Sequence, residues 1–230
     1  MRWLDRFVEE VLVRGPDADG TTRAERLPDG RTRIVFRTLD AGADLTVMGP
    51  LTRAVFKQKR GIQRMVSVQL KPGWSSPLLG TATSQLTDRI VYLEELWGRG
   101  AATLTDRLLA ARDVPAILDL LSDAIRAREL RESSSARLAR RALPLLAHQR
   151  VDAVAAELGI SERHLRRAVT EHVGIAPREY QRALRLQRAV ASPQRDWSRV
   201  AADAGYYDQA HLIGEFRDLV GLTPTAYAKR

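Results

Sequence analysis

The stretch AAELGISERHLRRAV, residues 155–169, decides how the C-terminal part of the chain is read. Ala155 and Leu158, with Val151 and Val154 just before them, share one helix face at about 100° per residue. Gly159 is the residue type that ends a helix in the left-handed conformation. Ser161 then stands where an N-cap is needed, its oxygen free to accept from N–H groups of the next turn. A second helix from Glu162 puts Leu165, Ala168 and Val169 inward at i, i+3 and i+4, while Arg163, Arg166, Arg167 and Thr170 fall on the opposite side. A short helix, a tight glycine-containing turn and a second helix make a helix-turn-helix.

The pattern returns further along. WSRVAADAG (197–205) is a first helix with Gly205 as its stop, Asp208 is the N-cap, and Leu212, Phe216, Leu219 and Val220 form the buried stripe. Ala155 and Gly159 match Ala201 and Gly205 at an offset of 46. Leu165, Gly174, Pro177 and Tyr180 match Leu212, Gly221, Pro224 and Tyr227 at 47, so one copy has gained a residue just after the shared glycine. Each unit closes on the same beat, GIAPREY (174–180) and GLTPTAY (221–227), where glycine stops a helix and proline starts the next segment. Between the units, PREYQRALRLQRAV (177–190) predicts a helix with Tyr180, Ala183, Leu184 and Leu186 or Gln187 near one face. From Pro177 to Ala191 it spans about 22 Å, a rod able to hold two second helices near the roughly 34 Å spacing of successive major grooves. Arg182, Arg185 and Arg188 on it read either as phosphate contacts or as a solvated face.

Three guanidinium groups at the start of the second helix stand where side chains reach base edges, and arginine can bond both O6 and N7 of guanine. In the second unit Gln209, Ala210 and His211 lie near the helix start and Arg217 further on. Glutamine can pair with adenine and Arg217 can reach a phosphate. Gly214 in mid-helix costs roughly 1 kcal/mol against alanine and supplies no contact. The first unit is therefore expected to read bases, and the second to hold more of the backbone.

Composition agrees with such a partner. The 230 residues carry a formal charge of +9, and all but four of the 37 cations are arginine. From residue 136 onward 16 Lys and Arg face 10 Asp and Glu, against 21 and 18 before it, so basicity concentrates toward the C-terminal part. Cysteine is absent, which excludes disulfides, thiolate zinc sites and a Cys nucleophile, and suits a reducing cytoplasm. No stretch approaches the roughly 18 apolar residues of a membrane span. His148, His164, His172 and His211 are scattered without metal-ligand spacing, and there is no G-x-S-x-G and no P-loop, so no enzyme, metal or cofactor is expected. A DNA-repair alkyl transferase with a DNA-binding tail would need a reactive cysteine.

Before residue 80 the chain reads differently. TRIVFR (32–37), ADLTVMG (43–49), LTRAVFKQ (51–58) and IQRMVSVQL (62–70) are strand-like runs separated by turn signals such as PDG, MGP and KRG. LTDRIVYLEELWG (86–98) then shows helical spacing through Leu86, Ile90, Leu93 and Leu96 or Trp97, with Gly98 as its stop, and VPAILDLLSDAIRAREL and residues 135–148 read likewise. The serine run RESSSAR (131–137) is the linker candidate. The fold class is thus an α+β N-terminal domain, a small β-rich unit followed by helices, over 1–131. An all-α C-terminal domain over 136–230 holds two helix-turn-helix units joined by a linker helix.

AAELGISERHLRRAV, GIAPREYQRALRLQRA, VAADAGYYDQAHLIGEF and GLTPTAY resemble, in order and spacing, the DNA-binding domain of AraC-type transcription regulators, over about residues 135–230. The resemblance implies base-reading positions at Arg163, Arg166 and Arg167 and at Gln209, Ala210 and Ile213 or Gly214, where Gly214 departs from the arginine often found there. LKPGWSSPLLG (70–80) followed by LTDRIVYLEELWG resembles the sensor domain of a subgroup of these regulators, which implies no known ligand. Trp3, Met65, Trp74 and Trp97 are the large apolar residues that an effector pocket, or equally a core, would use. The expected partners are double-stranded DNA, a small-molecule effector, a second copy of the chain, and RNA polymerase if the protein activates. The alternative is a constitutive DNA-binding protein whose N-terminal domain only dimerises.

Overall fold

The structure, a computed structural model, describes residues 6–128, 130, 132–194 and 196–230; Trp3 and Arg131 lie outside them. Strands β1 (Val8–Arg14), β3 (Thr32–Leu39), β4 (Gly42–Met48), β6 (Ile62–Leu70) and β7 (Ile90–Tyr92) form an antiparallel sheet in the order β1-β6-β3-β4-β7. The register sets Ile34 opposite Val47 and Val68, and Phe36 opposite Leu45 and Val66, so period-two alternation gathers these buried side chains on one face. Helices α3 (Arg99–Leu109) and α4 (Val114–Arg126) contribute Leu104, Leu108, Ile117, Leu121 and Ile125 to the same core. The alternate residues, Arg33, Arg37, Asp44, Met48, Met65 and Gln69, share the opposite face. Strands β2 (Thr21–Arg26) and β5 (Val55–Arg60) pair as a separate antiparallel ribbon, and β5 turns into β6 through Gly61 at φ +77°.

Three expectations change here. The strand expected over 51–58 begins only at Val55. The single helix expected over 86–98 is instead a turn, the edge strand β7 and the short helix α2 (Leu93–Trp97). Asp88 is the cause: it sits at φ +57°, which no helix tolerates, while its carboxylate accepts from Thr52 N–H at 2.8 Å and Thr52 Oγ1 at 2.6 Å. Ile90, expected inside, is half exposed at the sheet edge beside Met48. The serine run is a helix start rather than a linker, because Ser133 Oγ accepts from Ala136 N–H at 3.0 Å and α5 (Ser134–Leu146) begins at the next residue.

The C-terminal part is helical throughout: α6 (Val151–Glu157), α7 (Glu162–Val173), α8 (Pro177–Ala191), α9 (Trp197–Ala204), α10 (Gln209–Val220) and α11 (Pro224–Tyr227) follow α5. Helix α8 joins two cores. Tyr180 and Ala183 enter the cluster of α5, α6 and α7, whereas Ala189 packs with Val200, Ala201 and Leu212, and Leu186 with Phe216. Among the described residues no helix is long and apolar enough to cross a membrane.

The two segments are docked on each other. Thr83 Oγ1 donates to the His172 carbonyl at 2.9 Å, Thr87 Oγ1 donates to the Gly174 carbonyl at 2.6 Å, and Ser76 Oγ lies 2.6 Å from His172 Nδ1. These contacts join the loop around α1 (Ser75–Leu79) to the end of α7. At the other unit Ala54 N–H donates to the Leu219 carbonyl at 2.7 Å, and Leu27 and Phe56 pack on Leu219 and Val220.

Candidate nucleic-acid interface

The two units are built alike down to single hydrogen bonds. Ile160 N–H donates to the Ala155 carbonyl at 3.0 Å and Tyr206 N–H to the Ala201 carbonyl at 2.9 Å, closing each first helix over a glycine of positive φ, Gly159 at +66° and Gly205 at +85°. Ser161 Oγ then accepts from His164 N–H at 3.2 Å, and Asp208 Oδ1 accepts from His211 N–H at 2.7 Å. Ile160 and Ser161 are adjacent, while Tyr206 and Asp208 enclose Tyr207. The residue gained in the second copy is therefore Tyr207, and its side chain stands 93% exposed beside the start of α10.

On α7 the inner residues Leu165, Ala168 and Val169 have no exposed surface, and Arg163, Arg166 and Arg167 are all exposed. Arg166 is held by Glu162 one turn back at 2.7 Å, whereas Arg163 and Arg167 have no partner among the described residues. Thr170 is half-buried at the margin of this face. On α10 Gln209, Ala210, His211, Gly214 and Arg217 are exposed, and Ile213 is half-buried. Gln209 accepts from Ser198 Oγ at 2.8 Å, and His211 Nδ1 lies 3.3 Å from the Tyr207 N–H that donates to it. The predicted residues thus form two exposed faces, one cationic and one nearly neutral.

Of the arginines of α8, Arg182 and Arg185 are half-buried in ion pairs, whereas Arg188 is exposed. Arg182 bonds Glu215 at 3.1 Å and also pairs with Asp218, Arg185 bonds Glu215 at 2.8 Å, and Arg188 donates to the Ala147 carbonyl at 2.9 Å. They tie α10 to α8 and α8 to the end of α5. These pairs, with the burial of Tyr206, explain how the second unit holds its angle against the rod. Arg182 and Asp218 each favour their charged form through this contact: the carboxylate sits below its ordinary range because of the Arg182 hydrogen bond, and the guanidinium is raised against the opposing effect of burial.

Four residues gain a role that sequence alone did not assign. Tyr180 packs against Gly30, where a Cβ would sit 3.0 Å from its ring, and Tyr227 donates its hydroxyl to Glu25. The tyrosines that close the two units are therefore both docking points for the N-terminal part. Gly174 is pinned between Pro50 and Thr87, and His172 is 6% exposed against Ser76. The repeat itself held the signal for the tyrosines. Of the large residues named for an effector pocket, Trp74 packs edge-on against Phe7 at 4.8 Å under the Arg140 guanidinium, Trp97 carries Arg128 at 5.0 Å, and Met65 lines a cavity described below.

Comparison with known proteins gives the following. Residues 154–230 match the family of a helix-turn-helix domain, and residues 2–92 match a domain of unknown function (DUF6597). None of the curated proteins matches the chain. Among solved structures, ToxT from Vibrio cholerae is similar at 11% identity and TM-score 0.44, covering 95% of this chain and 96% of that one. ToxT from strain O395 is similar at 9% and 0.41, covering 94% and 95%. With its paired units and its linker rod, the segment 154–230 is thus an AraC-type helix-turn-helix domain.

Proposed function

We propose that the protein recognises a specific DNA site with α7 and α10 and that its N-terminal part controls this binding in response to a small molecule. Residues 1–131 form the controlling domain and 136–230 the DNA-binding domain. Arg163, Arg166 and Arg167 read base edges, with Thr170 at the margin of their face. Gln209, Ala210 and His211 approach the second groove, and Arg217 takes a phosphate. The observation that carries the reading is α7: its leucine face is fully buried while its three arginines are exposed at the start of the second helix of the motif. Phosphate contacts supply salt-dependent affinity by releasing counterions.

The test is selection of bound sequences from random DNA with the full chain, followed by binding to the best site. Arg167→Ala is expected to cost about 1–3 kcal/mol there and to relax preference at one base pair. Equal loss on all sequences would instead make Arg167 a phosphate contact and sink the base-reading role. Constitutive binding is favoured by one observation, the direct hydrogen bonds that brace both units against the N-terminal part. It predicts that no small molecule alters DNA affinity.

A further inference from the structure

The ribbon β2–β5 does not lie flat on the sheet. Between them is a cavity of about 320 Å³, at the small end of the range for ligand sites. Its interior is apolar, with Leu51, Val55, Ile62, Met48 and Met65 among the lining residues, and the two thioethers can adapt to a guest's shape.

The charged lining is one-sided: Arg26, Arg37, Lys57, Lys59 and Arg89 face the single carboxylate of Asp88. Arg37, Asp88 and Arg89 are already engaged, the last by donating to the Gln85 carbonyl at 3.2 Å. Asp44 grips Arg37 through both oxygens at 2.7 Å, and Thr52 donates twice to Asp88. Lys57 and Lys59 stand exposed at the rim with no partner among the described residues. Arg26 lies deeper. It donates to the Gly49 carbonyl at 2.7 Å, its Nε has no acceptor, and burial pulls its pKa down to about 10. Thr22, on the same side of β2, is 3% exposed with an unpartnered Oγ1. Buried donors without acceptors, set beside free cations and an apolar interior, call for a guest with an anionic head and an apolar body. The larger concavity of about 1200 Å³, which shares Ala24, Arg26 and Lys57 with this cavity, is of mixed charge: Glu9, Glu10, Glu25 and Asp29 also line it, and Arg31 and Arg33 are paired with Glu9 and Asp29.

The register of the ribbon gives the cavity an outlet. Thr22 opposite Lys59, Ala24 opposite Lys57 and Arg26 opposite Val55 form the cavity side. Glu25 opposite Phe56 belongs to the other side. There Glu25 accepts from the Tyr227 hydroxyl, and Phe56 packs with Phe216, Leu219 and Val220 of the second helix-turn-helix unit. Ala54, just before β5, bonds the Leu219 carbonyl. Two strands, one residue thick, therefore separate the cavity from the end of α10.

We propose that this cavity binds a small organic anion, a carboxylate or phosphate monoester on a compact apolar body, and that the β2–β5 ribbon transmits its occupancy to α10. The proposal rests on the regulator reading above and deepens it by naming the ligand class and the route.

Calorimetry on the full chain tests the site with octanoate and octyl phosphate as anionic probes and 1-octanol and octylamine as neutral and cationic counterparts. At least one anion is expected to bind one-to-one and at least tenfold tighter than octanol, with the amine weaker still. The Lys57→Glu/Lys59→Glu variant, altered only at exposed positions, and Ala24→Leu, which narrows the cavity, should each weaken the anion at least tenfold while circular dichroism is unchanged. Octanol binding as tightly as both anions, no binding of any probe, or full affinity in both variants overturns the site. Transmission is read separately, by hydrogen exchange of the α10 amides with and without the bound anion. Altered protection of Leu212 to Val220 that disappears in Phe56→Ala, with anion affinity retained, supports the route, and unchanged protection at saturation overturns it. On the selected DNA site the anion should shift the Kd at least fivefold. If no DNA site is preferred with or without anion, the regulator reading fails, and calorimetry and exchange still decide the proposal.

Discussion

Single residues divide here into those exposed on the proposed DNA-binding face and those that hold the frame. Two glycines show the difference. Gly174 has φ +90°, and a Cβ there would meet Pro50 Cγ at 2.5 Å, so both its conformation and its space are taken. Gly214 lies exposed in α10, and a Cβ added there would find nothing within 4 Å. Gly174→Ala is expected to destabilise the chain by about 2 kcal/mol or more through strain and displacement of the Pro50 loop. Gly214→Ala should stabilise it by about 0.5–1 kcal/mol. Urea unfolding of both variants checks the pair, and a neutral Gly174→Ala would show that the docked loop is not tightly set. Arg166 shares the frame and the interface: it must release Glu162 before it can reach a base, and that exposed pair is worth well under about 1 kcal/mol.

Among elements, the rod α8 is the one on which both units depend. Its grip on α10 converges on Glu215, which is 12% exposed and holds both Arg182 and Arg185. Glu215→Gln leaves Arg185 without a counter-charge and Arg182 with Asp218 alone, and is expected to cost about 1–3 kcal/mol, discounted for partial exposure. The same variant should weaken binding to a two-groove DNA site more than to a half-site, as anisotropy on the two DNAs would reveal. Equal loss on both would remove α8 as the setter of spacing.

How much was legible follows element by element. The repeat made α6 to α10 readable with their caps, because each boundary is set by a neighbour in sequence: Gly159, Ser161, Gly205, Asp208. Segment 86–98 misled because the apolar residues of an edge strand and a five-residue helix happen to fall at helical spacing. The ribbon strand β2, TTRAER, was missed since its cavity side carries Thr22, Ala24 and Arg26 rather than large apolar residues. The exposed side of α7 with its arginines was legible from the helical spacing; Tyr207 was counted only as an offset.

For the whole molecule, the dock between the two parts carries a pH dependence. His172 is held below its ordinary pKa, chiefly by burial, with Arg140 acting in the same direction and Glu171, at 3.7 Å, opposing. The folded state therefore binds a proton less readily than the unfolded one. Stability is intact above about pH 6.5 and falls as pH drops below it. Unfolding at pH 7.5 and pH 5.5 should show a loss in the wild type that is smaller in His172→Gln, and identical losses would acquit the histidine. A fragment of residues 134–230 lacks the partners of Leu219, Val220 and Tyr227. As it equally lacks the N-terminal partners of His172, Gly174 and Tyr180, both its units are expected to exchange amide hydrogens faster than in the full chain.

The contact of Leu27 and Phe56 with the end of α10 also sets an order of events at the ribosome. Some 160 residues separate Phe56 from Val220, so at 5–20 residues per second the nascent ribbon waits on the order of ten seconds or more before its apolar partner emerges. Through that interval Phe56 is a sticky surface with nothing to cover it. Prematurely terminated chains that stop short of α10 keep that stickiness for good, which makes them natural clients of chaperones and proteases.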